Sequence, residues 1–336
     1  MVTKNIVQQP KSVVEISITV PWTDLEPRWN EALQHLNAEL ELPGFRKGQV
    51  PLPMAEQTLG TKLNDEFFKL AMPQALVEAL QGSNIVPIDY PKYQLVSFVK
   101  GQPLVFKALV TQKPQITVGD YKAIKVSKPA PKIITDEDVS KMIEEMFKRW
   151  KAKQTVPTAE SPDDNFAKAV GALDLADLKT KLKADLENEA KYNNELDYEE
   201  LILQQIESIT TVDVPEILVS DELNRMLVQL QKRVADMGLL LEDYLKGQNK
   251  TIDSLKAEWR VQAEKNVKME LGLSEVARQE NVEVSDADLQ AEIDKIQDGR
   301  MKAQFEQEEP RLHLKHSLRQ IKTLDKLKTL VSNLAA

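Results

Sequence analysis

Residues 42–51 read LPGFRKGQVP: an apolar ring at Phe45 stands directly before two cations, Arg46 and Lys47, with Gly44 and Gly48 on either side. Glycine reaches backbone angles that side-chained residues resist, and Pro43 and Pro51 stop regular structure at both ends. The stretch is therefore a loop. A buried loop would strand backbone polar groups without partners, so its tip belongs in solvent. An exposed phenylalanine beside arginine and lysine has the character of a docking finger. A guanidinium forks onto a phosphate or carboxylate, lysine adds a point charge, and the ring fills an apolar notch.

The flanks of the loop define the first module. Upstream, SVVEISITV at 12–20 partly alternates apolar and polar residues as a strand does, and Trp22, Leu25, Trp29, Leu33 and Leu36 lie along one helical face. Downstream, PLPMAEQTLG ends in Gly60 as a short helix would, and LNDEFFKLAMPQALVEALQG is a longer helix that Pro73 kinks or splits. Strands at about 93–99 and 104–111, joined by the turn KGQP, complete a β-α-α-β-β order. The expectation for residues 1–113 is an α+β domain, a small sheet covered on one face by helices.

Residues 114–153 read as a linker. Two proline-bounded extended pieces, QITVGDY and AIKVSKPAP, precede a helix that a capping box of Thr135 with Asp138 opens and that runs to about Lys153. A tether occupies 154–172, polar and punctuated by proline, with Ser161-Pro162 starting a short helix that stops near Gly171. Residues 173–336 are helical. From Asp174 to about Ile209 the pattern is continuous, with Leu175, Leu178, Leu182 and Leu186 on one stripe. At ~1.5 Å per residue such a helix extends about 54 Å, so part of it is expected to project as an arm. Further helices are expected at about 215–237, within LLLEDYLKG, and at about 252–280, 286–297 and 310–332, with Ser285 and Asp288 as a second capping box. The fold class is thus an α+β N-terminal domain followed by an elongated all-α C-terminal domain with helical arms.

Composition narrows the function classes. The chain has 336 residues, 42% hydrophobic and 29% charged, which is ordinary for a folded, soluble protein of two or more domains. No run approaches the roughly 18 apolar residues of a membrane span, and MVTKNIVQQP at the N-terminus has no apolar signal core, so no membrane partner and a cytoplasmic location are expected. Cysteine is absent, which removes disulfides and thiolate chemistry. The net charge is −9, yet residues 1–113 carry 11 Lys+Arg against 11 Asp+Glu, so the acidic excess is C-terminal. A domain-wide basic field for nucleic acid is missing, and any contact with RNA is local, as at Arg46 and Lys47.

Enzymatic chemistry finds no seat. None of the 11 glycines forms a phosphate-cradling loop, so neither ATP use nor another cofactor is indicated. His313 and His316 lie one helical turn apart near Glu309, but no third strong ligand accompanies them, and a solvated helix face accounts for them; no metal is expected. Adjacent acids such as Glu144-Glu145 and Glu199-Glu200 point in different directions along a helix and cannot share a substrate. The remaining features concern adhesion. Met226, Leu227, Leu230, Val234 and Met237 form an apolar strip, and Leu239, Leu240, Leu241, Tyr244 and Leu245 bunch just after it. Helix packing explains such strips. So does a surface that accepts varied apolar clients, a use to which methionine and leucine on arms are suited.

GFRKGQVP at Gly44–Pro51 resembles the ribosome-binding signature of trigger factor, the bacterial chaperone that meets nascent chains at the tunnel exit. VDVPEILVSDELNRML at Val212–Leu227, the long stretch Gly238–Asp286 and the end segment LKHSLRQIKTLDKLK resemble that family's C-terminal helical domain in order and spacing. The resemblance implies that Phe45, Arg46 and Lys47 contact the ribosome, both its protein and its RNA, while Gly44, Gly48 and Pro51 shape the loop. It implies an ATP-independent chaperone that shields apolar segments of nascent or unfolded polypeptides, with Met226, Leu230, Met237, Leu239, Leu240, Leu241 and Tyr244 as client-binding candidates, and it admits a homodimer when free. The family usually carries an FKBP-type prolyl isomerase domain of roughly 90 residues, an ordinary domain size, between linker and arms. Here Trp150 to Leu173 leaves only the tether, so the expectation is a chaperone without isomerase activity. The alternatives are a prolyl isomerase, as the family name suggests, a periplasmic-type helical carrier, or a structural scaffold.

Overall fold

A computed structural model describes residues 2–152 and 160–335. In chain order its elements are β1 (Thr3–Gln9), β2 (Val13–Val20), α1 (Trp22–Glu39), α2 (Leu52–Leu59), α3 (Thr61–Leu80), β3 (Lys92–Ser97), β4 (Leu104–Thr111) and β5 (Ile116–Val118). Then come α4 (Asp136–Ala152), α5 (Asp164–Ala169), α6 (Leu175–Ile209), β6 (Thr210–Val212), α7 (Glu216–Asp236) and α8 (Leu241–Gly247). The last are α9 (Ile252–Gln279), α10 (Asp286–Asp294), α11 (Gly299–Gln304) and α12 (Glu308–Ala335). The N-terminal part is α+β and the remainder is mostly helical. The chain forms two compact units, one of residues 1–116 with 211–268 and the other of 117–210 with 269–336.

In the first unit the sheet is antiparallel in the order β1-β2-β4-β3. Alternation in β2 turns Val14, Ile16, Ile18 and Val20 to one face, where the register sets them opposite Val110, Ala108, Phe106 and Leu104. All eight are buried. Leu25, Trp29, Ala32 and Leu33 of α1, with Leu63, Phe67, Ala71, Met72, Ala75 and Leu76 of α3, cover that face. Pro73 does not split α3, which runs unbroken through it. The proline and Lys69, the residue one turn back whose carbonyl loses its N–H partner, are both exposed, so the break falls on the solvent side of the helix.

The turn between β1 and β2 meets the start of α7 in the same unit. Lys11 and Ser12 are both left-handed, φ +63° and +55°. Ser12 donates from its backbone N–H to Asp213 Oδ2 at 3.1 Å and from its hydroxyl to the Asp213 carbonyl at 2.7 Å. Glu216 accepts from both guanidinium arms of Arg260, 2.7 and 2.6 Å, and from Lys11 at 2.8 Å. Arg260 first and Lys11 second hold the Glu216 carboxyl down at about 2. Within the remainder of this unit, Leu230 and Val234 of α7 pack with Leu245 and Leu255, and Val219 and Leu223 pack with Ala263.

The second unit holds two further cores. Tyr121, Ile124, Tyr198, Ile202, Ile206, Leu273, Val276, Leu327 and Val331 form one. The other gathers Phe147 and Trp150 around Phe166, with ring centroids 5.2 and 5.5 Å from Phe166. The capping box at Thr135 and Asp138 is present, Thr135 N–H to Asp138 Oδ2 at 3.0 Å and Asp138 N–H to Thr135 Oγ1 at 3.3 Å. The box at Ser285 and Asp288 is present too. The short helix expected from Ser161-Pro162 begins instead at Asp164, because the Asp163 carboxylate accepts from Phe166 N–H at 2.8 Å and caps it. Residues 154–159 of the expected tether, and Lys153 at the expected end of α4, lie outside the described residues.

Candidate functional site

The loop after α1 is built from a fixed base and an open tip. At the base, Leu40 N–H bonds Asn37 O at 3.1 Å, Gly48 N–H bonds Leu40 O at 3.3 Å, and Asn37 Nδ2 donates to Val50 O at 2.9 Å. Val50 and Asn37 are buried, and Leu40 and Leu42 pack against the sheet-helix core. Between them the chain turns twice, Phe45 N–H to Leu42 O at 3.0 Å and Gln49 N–H to Arg46 O at 2.9 Å. Both turns need positive φ, supplied by Gly44 at +90° and Gly48 at +76°. A Cβ on Gly48 would also stand 3.2 Å from the Ala38 carbonyl oxygen. Pro51 then stands at the N-cap of α2, where its missing N–H matters least.

The tip carries Phe45, 38% exposed, with Arg46 and Lys47 also exposed. Lys47 Nζ lies 3.9 Å from Glu41 Oε1, both exposed, a pair of little energetic weight. The Arg46 guanidinium meets no carboxylate among the described residues. An apolar ring and two cations are thus presented together on a pinned base. Leu52 and Met54, exposed on the first turn of α2, extend the apolar character past Pro51. Their signal was in the sequence, two large apolar residues directly after a loop-ending proline.

The apolar strips divide. Met237 is 61% exposed and Leu240 72%, with Leu239 exposed between them. Met226, Leu241 and Tyr244 are half-buried. Leu230, at 9%, sits in the α7–α8 core and is not open to a client in this arrangement. Val228, on the opposite side of α7, is exposed and stood outside the strip. His316 Nε2 lies 3.3 Å from Glu270 Oε1, and among the described residues no group of three His, Cys, Asp or Glu gathers as a metal site. No helix among the described residues is long and apolar enough to cross a membrane.

Residues 2–146 match the family model described as bacterial trigger factor protein, and 174–329 match the model for its C-terminus. The interval 147–173 matches neither. A trigger factor of Macrococcus caseolyticus is 26% identical over 373 residues, covering 84% of this chain and 87% of that one. One of Pelotomaculum thermopropionicum is 26% identical, covering 85% and 86%. An aligned length of 373 against a chain of 336 means that the relative carries residues with no counterpart here. A solved chain described under "Promiscuous Substrate Recognition in Folding and Assembly Activities of the Trigger Factor Chaperone" superposes with a TM-score of 0.61 at 15% identity, over 98% of this chain and 100% of that one. It establishes likeness of fold.

Proposed function

The chain belongs to the bacterial trigger factor family, and from that premise we propose that it is an ATP-independent holding chaperone which docks at the ribosomal tunnel exit and shields apolar segments of nascent chains. The observation that carries the docking is the tip itself: Phe45 half in solvent, Arg46 and Lys47 open, on a base fixed by Asn37 and Val50. Gly44, Gly48 and Pro51 shape it. Two cations bound the contribution of RNA, so much of the grip falls to protein contact and shape. Such a site belongs in the cytoplasm.

Client holding falls to Met237, Leu239, Leu240 and, at their edge, Met226, Leu241 and Tyr244. Burying ~400 Å² of a client's apolar surface returns about 10 kcal/mol, against an association cost of roughly 4 to 15. Binding is then weak and reversible, and release follows when the client buries its own apolar residues, with no fuel molecule. The interval between the two family matches is shorter than an ordinary domain, and for that reason no prolyl isomerase activity is proposed. Free chains are open to pairing with a second copy. Light scattering from an aggregating unfolded client tests the holding function. The chain should suppress it without nucleotide, and unaltered scattering at a severalfold molar excess would refute that function.

A further inference from the structure

Aromatic residues make up only 5% of the chain, yet Trp22, Trp29, Phe67, Phe68 and Phe98 meet in the N-terminal module with ring centroids 5.0 to 6.5 Å apart. Beside them opens a cleft of about 320 Å³, lined by Trp29, Glu56, Leu63, Asn64, Phe98 and Lys100. Trp29 is 95% buried, and its indole N–H has no hydrogen-bond partner among the described residues. Buried indole donors ordinarily find an acceptor. Over the Trp29 ring, 5.6 Å from its centroid, lies the Lys100 ammonium, which also pairs with Glu56. Lys100 belongs to the solvent-facing turn between β3 and β4, and its neighbour Val99 is exposed.

We infer that this cleft receives an extended polypeptide segment, with an apolar side chain, proline above all, against the rings of Trp29 and Phe98 and a backbone carbonyl accepting from Trp29 Nε1. Extended proline-bearing chains keep their carbonyls unpaired, and aromatic grooves with a donor among the rings suit them. A charged ligand has less to gain, because Lys100 and Glu56 already neutralise each other at the rim. Lys100 swings off the indole as the segment seats. The inference rests on the proposed binding of unfolded polypeptides, and it adds a contact on the module that carries the loop, separate from the arms.

Proton–nitrogen correlation spectra of the 15N-labelled protein test it, because the four tryptophans give separate indole resonances. Trp29→Phe keeps a ring in the core, deletes the donor and identifies its resonance; should that variant fail to fold, Trp22→Phe, Trp150→Phe and Trp259→Phe identify it by elimination. An uncharged peptide of proline and leucine should shift the Trp29 resonance saturably, whereas a glycine–serine peptide of equal length should not. Trp29→Phe should weaken binding about fivefold, the worth of one ordinary hydrogen bond. A Trp29 resonance unmoved by the proline–leucine peptide, or undiminished affinity in the variant, overturns the inference. Suppression of client aggregation by the wild type separates the two failures: a silent Trp29 with intact suppression removes this cleft alone, and lost suppression removes the chaperone function beneath it.

Discussion

Phe45 stays in solvent because its neighbours leave it nowhere else to go. Gly44 and Gly48 take backbone angles that hold the tip away from the core, while Asn37 ties the returning chain at Val50. Gly48→Ala puts a methyl 3.2 Å from the Ala38 carbonyl oxygen at φ +76°, which should cost about 1–2 kcal/mol. Ribosome affinity should fall with it while helix content holds; equal affinity in the variant would show that loop shape is irrelevant. Acid acts on a different residue. Glu216 titrates at about 2, below its ordinary 4.5, because Arg260 and Lys11 hold its charged form. A depressed carboxyl contributes stability that is complete above its unfolded value and lost as pH falls towards the folded one. The urea midpoint should therefore drop between about pH 4.5 and 2, and Glu216→Gln should flatten part of that slope. A parallel slope in the variant would count against the Glu216 contribution.

Elements differ in how plainly the sequence announces them. In β2 and β4, burial on one face imposes alternation, and α6 and α9 carry long apolar stripes, so all four are legible. β1 is not: TKNIVQQ lies at the sheet edge with every residue exposed, and no burial pattern marks it. β6 and α11 are too short to show a period. The loop at 42–51 was legible because glycine, proline and charge coincide there, whereas Leu230 and Leu240 look alike in the sequence and differ only once α8 packs against one of them. Phe166 shows what a short element can carry. Fully buried between Phe147 and Trp150, it is the centre of the core joining α4, α5 and the start of α6. Phe166→Ala should destabilise that core by about 3–5 kcal/mol in urea unfolding, and a loss under about 1 would show that the three rings do not act together.

At the scale of the whole molecule, the proposed adhesion falls to a few small places among the described residues of an acidic chain. Net charge of −9 opposes general attraction to RNA, so the proposed attachment to a ribosome would depend on the cations at the loop. With two of them, log affinity should fall by less than about 2 per tenfold rise in salt; a slope far steeper would require a basic surface that the chain does not present. The most direct measurement is co-sedimentation with ribosomes of the wild type beside a variant in which Phe45, Arg46 and Lys47 are all alanine. The wild type should pellet with ribosomes and the variant stay in the supernatant, with the same circular dichroism spectrum. Equal pelleting of the two would contradict the account.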